Sequence, residues 1–230
     1  MTLLIGTISS TNIAITADGI SIANPETGAG IVSNTFQKIF PFPNLSVAIA
    51  HHGFNILDGF PINEFLQHFM TNADKDFAVL DVHEIAIELH KFTDSAANKI
   101  FANPKNKGVI GFWVAGFSSE KLRSLPLLYE ICWPDNQRPK QHKIIVFGGD
   151  GKKYIDYHIE EFEKDKSKCE KVIRYSVEDA VKFHNEIYEE AEEKQNDIGQ
   201  NIFGGHQHQL VIENNGWRWI NPPHALKGID

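Results

Sequence analysis

The sequence predicts an α+β domain in which helices cover the outer faces of two packed antiparallel sheets. Short β-rich runs and amphipathic helical stretches are segregated along the chain rather than alternating as βαβ units. Their order is strands, two helices, strands, a helix and strands, with eight or more strands and three or four helices. No linker-like stretch divides the 230 residues and no internal repeat is present, so residues 1–230 read as one domain.

Residues 3–8 (LLIGTI) and 12–17 (NIAITA) are short β-rich runs around the turn formers SSTN, a hairpin signal. A Gly-, Pro- and Asn-rich loop follows, DGISIANPETGAGIVSN. Then FQKIFPF and LSVAIA, split by Pro43-Asn44, complete four early antiparallel strands. After Pro61, residues 62–70 (INEFLQHFM) read as a helix. Val82, Ile85, Ala86, Leu89, Phe92, Ala96 and Ile100 form one apolar stripe of a longer helix, with Asp81 and Glu84 as its capping box. Strands return at 108–117, 125–133 and 143–149. A second long helix starts at Ser176, which forms a capping box with Asp179, and carries the stripe Val177, Ala180, Val181, His184, Ile187, Tyr188 and Ala191. The last strands, 208–213 and 216–220, flank Asn214-Asn215-Gly216, a hairpin turn.

Composition narrows the partners. Lys and Arg number 22 against 30 Asp and Glu, so the chain lacks the basic balance of a nucleic-acid-binding protein. No apolar run approaches a membrane span of about 18 residues. Two cysteines, Cys132 and Cys169, and a start without a basic signal region point to a reducing cytoplasm.

Thr2 carries the chemical interest. A threonine hydroxyl needs a base beside it, and an N-terminal threonine has one in its own α-amine. Removal of Met1, usual before a small residue, would expose that amine, and a strand from Leu3 would hold it in place. Asp18 closes the second strand in TADG and Lys38 lies in FQKIF. A lysine beside Thr2 would stabilise its alkoxide and lower the amine's proton affinity, and an aspartate would orient that lysine. Taken singly, Asp18 also suits a turn before Gly19, and Lys38 an exposed strand position.

Together these motifs resemble the β-type proteasome subunits and their bacterial relatives in the N-terminal nucleophile hydrolase superfamily. The resemblance rests on TLLIG from Thr2, the Ala17-Asp18-Gly19 step, QKIF, VAIAHHG, the middle pair GFWVAGF and LPLLYEI, and the late segment EEAEEKQNDIGQNIFGGHQHQLVI. It covers nearly the whole chain and implies a four-layer α/β/β/α sandwich of two antiparallel sheets. It implies Thr2 as nucleophile, Lys38 to tune its amine, Asp18 to orient Lys38, and Asp197 as a late aspartate near the nucleophile. The oxyanion donor would be the backbone N–H of His51, where the family usually has glycine. Gly149 stands at the place of a supporting serine, a second family serine has no match after Asp197, and the loop between Asp18 and Lys38 is longer than usual.

The expected activity is threonine-type hydrolysis of amide bonds in a peptide or a small amide, through an acyl-enzyme and without metal or cofactor. A homo-oligomer and an ATP-dependent unfoldase are the implied partners. The alternative is a non-catalytic ring or scaffold subunit. Other histidine-rich pieces weigh less. His206 and His208 have the spacing of a metal pair but no evident third ligand. HEIAIELH has Ile87 where a zinc-protease helix needs its second histidine. FGGDGKK (147–153) reads as a turn before a helix, and residues 160–171 and 189–195 as solvated helix faces.

Overall fold

The computed structural model describes residues 2–24, 29–72, 76–118, 124–199 and 202–223. Met1 lies outside these, as do residues 25–28 of the early loop and 200–201 of the late segment.

Strands β1 (Leu4–Ile8) and β2 (Asn12–Ala17) form the expected hairpin, with Leu4 opposite Ala17 and Ile8 opposite Ile13. The loop that follows contains a second hairpin, β3 (Ser21–Asn24) with β4 (Ala29–Ser33), which the sequence reading leaves irregular. SIAN and AGIVS are too short, and too rich in Asn and Gly, to show a period of two. Strands β5 (Ile39–Pro41) and β6 (Val47–Gly53) pair with Ile39 opposite Ala50. The two-residue strands β7 (Ile56–Leu57) and β8 (Phe60–Pro61) lead into α1 (Ile62–Met70). Helix α2 (Val82–Phe101) begins at the Asp81–Glu84 capping box.

Strands β9 (Ile110–Phe117), β10 (Pro126–Trp133), β11 (Asn136–His142) and β12 (Ile145–Gly148) follow. Strand β11, NQRPKQH, has no apolar alternation and is absent from the sequence reading. It is an edge strand, where charge and proline deter pairing with another chain. A 3₁₀ turn at Asp150–Tyr154 precedes α3 (Asp156–Lys164) and α4 (Lys166–Ile173), the charge-dense segment. Helix α5 (Val177–Asp197) starts at the Ser176–Asp179 capping box. Strands β13 (His208–Glu213) and β14 (Gly216–Asn221) close the chain around the Asn214-Asn215 turn.

The larger sheets run β12-β1-β2-β13-β14 and β11-β10-β9-β6-β5. The early strands are therefore antiparallel in pairs, one pair in each sheet. Alternation along the strands divides the core into layers. Leu4, Ile13, Ile15 and Leu210 of the first sheet meet Ala48, Ala50, Trp113 and Leu128 of the second. The opposite face of the second sheet packs Ile49, Phe112 and Val114 against Leu66, Phe69, Ile85 and Leu89 of α1 and α2. The opposite face of the first packs Leu3 and Ile5 against Ile187, Tyr188 and Ala191 of α5. The result is the four-layer α/β/β/α sandwich. Gly6 makes the sheet-to-sheet contact close, since a Cβ there would lie 3.1 Å from the Trp113 ring and 2.9 Å from Val146.

A buried polar cluster crosses the layer between the first sheet and α5, where Asn185 Oδ1 accepts from Gln209 Nε2 at 2.7 Å and His184 meets two threonines. His184, on the helix stripe, places Nε2 3.1 Å from Thr7 Oγ1 and Nδ1 2.8 Å from Thr16 Oγ1. A neutral imidazole donates through one nitrogen and accepts at the other, so both hydroxyls are satisfied. Burial pushes the His184 pKa down to about 3. The unfolded chain binds this proton near pH 6.5 and the folded chain does not. The stabilisation is complete above about pH 6.5 and is lost as pH falls toward about 3, at about 1.4 kcal/mol per pH unit for this group. Urea unfolding between pH 7 and 4.5 should show a dependence shallower by about that amount in His184→Gln than in the parent.

Candidate active site

Strand register assembles the site. With Leu4 opposite both Ala17 and Gly148, the ends of β2 and β12 lie on either side of the residues entering β1. Asp18 therefore falls beside Leu3, and the left-handed turn at Gly149 runs against the Thr2 carbonyl. Thr2 is buried, and its C=O accepts the Gly151 N–H at 2.9 Å. Lys38 immediately precedes β5 and comes from the other sheet.

Asp18 joins these pieces. Its Oδ1 accepts the Lys38 ammonium at 2.7 Å and the Leu3 N–H at 2.9 Å. Its Oδ2 accepts the N–H groups of Ile20 at 3.1 Å and Gly204 at 3.4 Å. The Leu3 N–H belongs to the peptide unit that carries the Thr2 carbonyl, so one carboxylate oxygen grips both the lysine and the Thr2–Leu3 peptide. Asp18 and Lys38 have 0% and 1% side-chain exposure. Burial lowers the Lys38 pKa, and Asp18, with Asp150 behind it, opposes that fall. Desolvation dominates, which makes this ammonium readier to release its proton than a surface lysine.

His51 and His52 face opposite sides of β6, as adjacent strand residues must. The His51 ring lies 5.4 Å from the Phe112 ring on the side of α1 and α2, and its Nε2–H donates to the Phe54 C=O at 2.9 Å. Burial, with His52 and Lys38 nearby, holds its pKa well below the ordinary histidine value. His52 turns between the sheets, where a Cβ on Gly111 would lie 2.0 Å from its Nε2. Burial lowers its pKa to about 4. The His51 backbone N–H, the expected oxyanion donor, donates to the Lys38 C=O at 2.9 Å, so an oxyanion would have to displace that ladder bond.

Thr2, Asp18 and Lys38 are thus brought to one end of the two sheets, and Asp197 is not among them. It is the last residue of α5 and is exposed. The side chain turned inward at this end of the helix is Gln195, which continues the stripe His184, Tyr188, Ala191. A polar residue at a stripe position is the signal that could have found it. Gly149 explains the absent serine: its φ is +80°, and a Cβ there would lie 2.1 Å from the Thr2 carbonyl oxygen. His206 precedes β13 and donates from Nε2 to the Pro222 C=O at 2.7 Å. Among the described residues no group of three His, Cys, Asp or Glu side chains is arranged to hold a metal ion. No helix among them is long and apolar enough to cross a membrane.

Two antiparallel sheets between helical layers define a proteasome-like α+β sandwich, with a buried threonine at the entry to β1 and a buried Lys–Asp pair at the same end. The solved structure of an Anbu (Gly-1) mutant from Hyphomicrobium sp. strain MC1 is similar to this chain, with a TM-score of 0.65 over 96% of this chain and 87% of that one. The identity is 10%, so the likeness is one of fold. No family model and no curated protein matches the sequence.

Two stability measurements check the geometry. Lys38→Met strands a buried carboxylate and should cost about 3–5 kcal/mol in urea unfolding, whereas Asp18→Asn combined with Lys38→Met should cost clearly less than the sum of the two. Gly149→Ser must move backbone away from Thr2 and leave the left-handed region, a loss of about 1–3 kcal/mol from the backbone alone.

Proposed function

We propose that this chain is an N-terminal threonine hydrolase that cleaves amide bonds through an acyl-enzyme. The observation that carries the reading is the buried Asp18 Oδ1 held between Lys38 Nζ and the Leu3 N–H. A buried ion pair is a poor stability device, because its desolvation offsets most of its attraction. Its position against the Thr2–Leu3 peptide gives it a chemical use. After loss of Met1, the Thr2 α-amine takes the hydroxyl proton as Oγ1 attacks the amide carbonyl carbon. The amide C–N bond breaks, and the proton passes to the leaving nitrogen. Water then attacks the ester, and its proton returns by way of the amine to Oγ1. The Lys38 cation stabilises the forming alkoxide and keeps the amine neutral at working pH. The substrate is a peptide or a small amide. The family resemblance implies a homo-oligomer and an ATP-dependent unfoldase, and the sparse cysteines suit a cytoplasmic setting.

A second reading, a non-catalytic scaffold subunit, is favoured by the commitment of the His51 N–H to the Lys38 carbonyl. Intact mass of protein from its native host, before and after a threonine-directed β-lactone, separates the two. The hydrolase reading expects a chain starting at Thr2 that gains one adduct, with no adduct in Thr2→Ala and a rate reduced about 10²–10⁴-fold in Lys38→Met. The adduct rate should fall about tenfold per pH unit once the Thr2 α-amine becomes protonated, at a pH that Lys38 sets below the ordinary α-amine range of about 7.7–8.0. Retention of Met1 in that material would sink the enzyme reading.

A further inference from the structure

Gln195 is 2% exposed and makes three hydrogen bonds to one short segment. Its Nε2 donates to the Phe203 C=O at 2.7 Å, and its Oε1 accepts the N–H groups of Ile202 at 3.0 Å and Phe203 at 3.3 Å. The next residue, Gly204, turns both of its peptide groups onto the end of β2. Its N–H donates to Asp18 Oδ2 at 3.4 Å, and its C=O accepts the Gly19 N–H at 3.0 Å. Gly204 has a φ of +133° and faces Glu192 and Gln195 across a narrow gap. The segment also seats Phe203 against Tyr154 and Tyr188.

We propose that Gln195 is a positioning residue: by clamping residues 202–203 to α5 it holds the Gly204 N–H on Asp18 and so fixes the carboxylate that binds Lys38. Glutamine suits this role because its amide is both donor and acceptor and carries no charge. The neighbourhood is already crowded with charge. Tyr188 and Glu192 of α5 face Asp18, Asp150 lies within electrostatic range of Lys38, and so do His51 and His52 of β6. A carboxylate at 195 would add to the acidic groups around Asp18.

The structural claim concerns the Asp18–Lys38 pair; its link to catalysis rests on the hydrolase reading. The test therefore reads Lys38 directly. In the full chain labelled with ¹³C-lysine, the Lys38 side-chain resonance is assigned by its loss in Lys38→Arg and titrated with pH. Gln195→Met keeps the side chain's length and removes all three hydrogen bonds. Release of the segment lets water reach the pair, and the Lys38 midpoint should rise toward the ordinary lysine value by about one pH unit. β-Lactone labelling of Thr2 should slow about tenfold, because the lysine is less well held. Gln195→Asn, the same amide one methylene shorter, should shift both in the same direction by less, and carries the test if Gln195→Met does not fold. A purely structural glutamine would lower stability and leave the midpoint where it was. An unmoved midpoint in a folded variant therefore overturns the proposal. A moved midpoint in a protein that the lactone never labels supports the clamp and overturns the hydrolase reading instead.

Discussion

The buried contact between Asp18 and Lys38 is the constraint on which the rest of this end of the molecule depends. It joins the residue just after the first hairpin to the residue just before β5 of the second sheet, and both side chains are buried. Such a pair persists only where every lone pair and proton is used. Asp18 meets that condition with three backbone N–H donors besides the ammonium. Those donors come from Leu3, Ile20 and Gly204. The entry to β1, the exit from β2 and the approach to β13 are thereby drawn together around one carboxylate.

That convergence sets how close the chain must come at Thr2. The turn after β12 runs directly against the Thr2 carbonyl, with Gly149 in the left-handed region and the Gly151 N–H on the same oxygen. No side chain fits at residue 149, so Thr2 is supported by backbone rather than by a hydroxyl. Between the sheets, Trp113 fills the space that Gly6 and Gly148 leave open. Large and small residues interdigitate across this layer, which fixes the spacing of the sheets and with it the reach from Lys38 to Asp18.

The long helices were legible because their signals are local. The Asp81–Glu84 and Ser176–Asp179 boxes stand where the sequence puts them, and the stripe behind each faces a sheet. The hairpin at Ser9–Asn12 and the Asn214-Asn215 turn were legible for the same reason. Strand β11 was not, since an edge strand hydrogen-bonds through its backbone and need not alternate. Asp197 and Gln195 show the limit most clearly. The two lie two residues apart in one helix, and a rotation of about 200° separates their faces. Motif order favoured the aspartate, whereas the helix stripe turns the glutamine inward.

By itself the sequence determined the α+β class and the layers of helix on sheet, because periodicity, capping and turn chemistry are written in neighbouring residues; it offered Thr2, Asp18 and Lys38 as candidates through the order of their motifs. Tertiary structure alone decided which backbone donors Asp18 collects, that the His51 N–H is spent on the Lys38 carbonyl, and that Gln195 reaches the segment before β13. Those contacts reach from near neighbours, as between Asp18 and Ile20, to residues 186 positions apart, as between Asp18 and Gly204, and the distant partners are set by strand register and sheet packing, which no single stretch of the chain encodes.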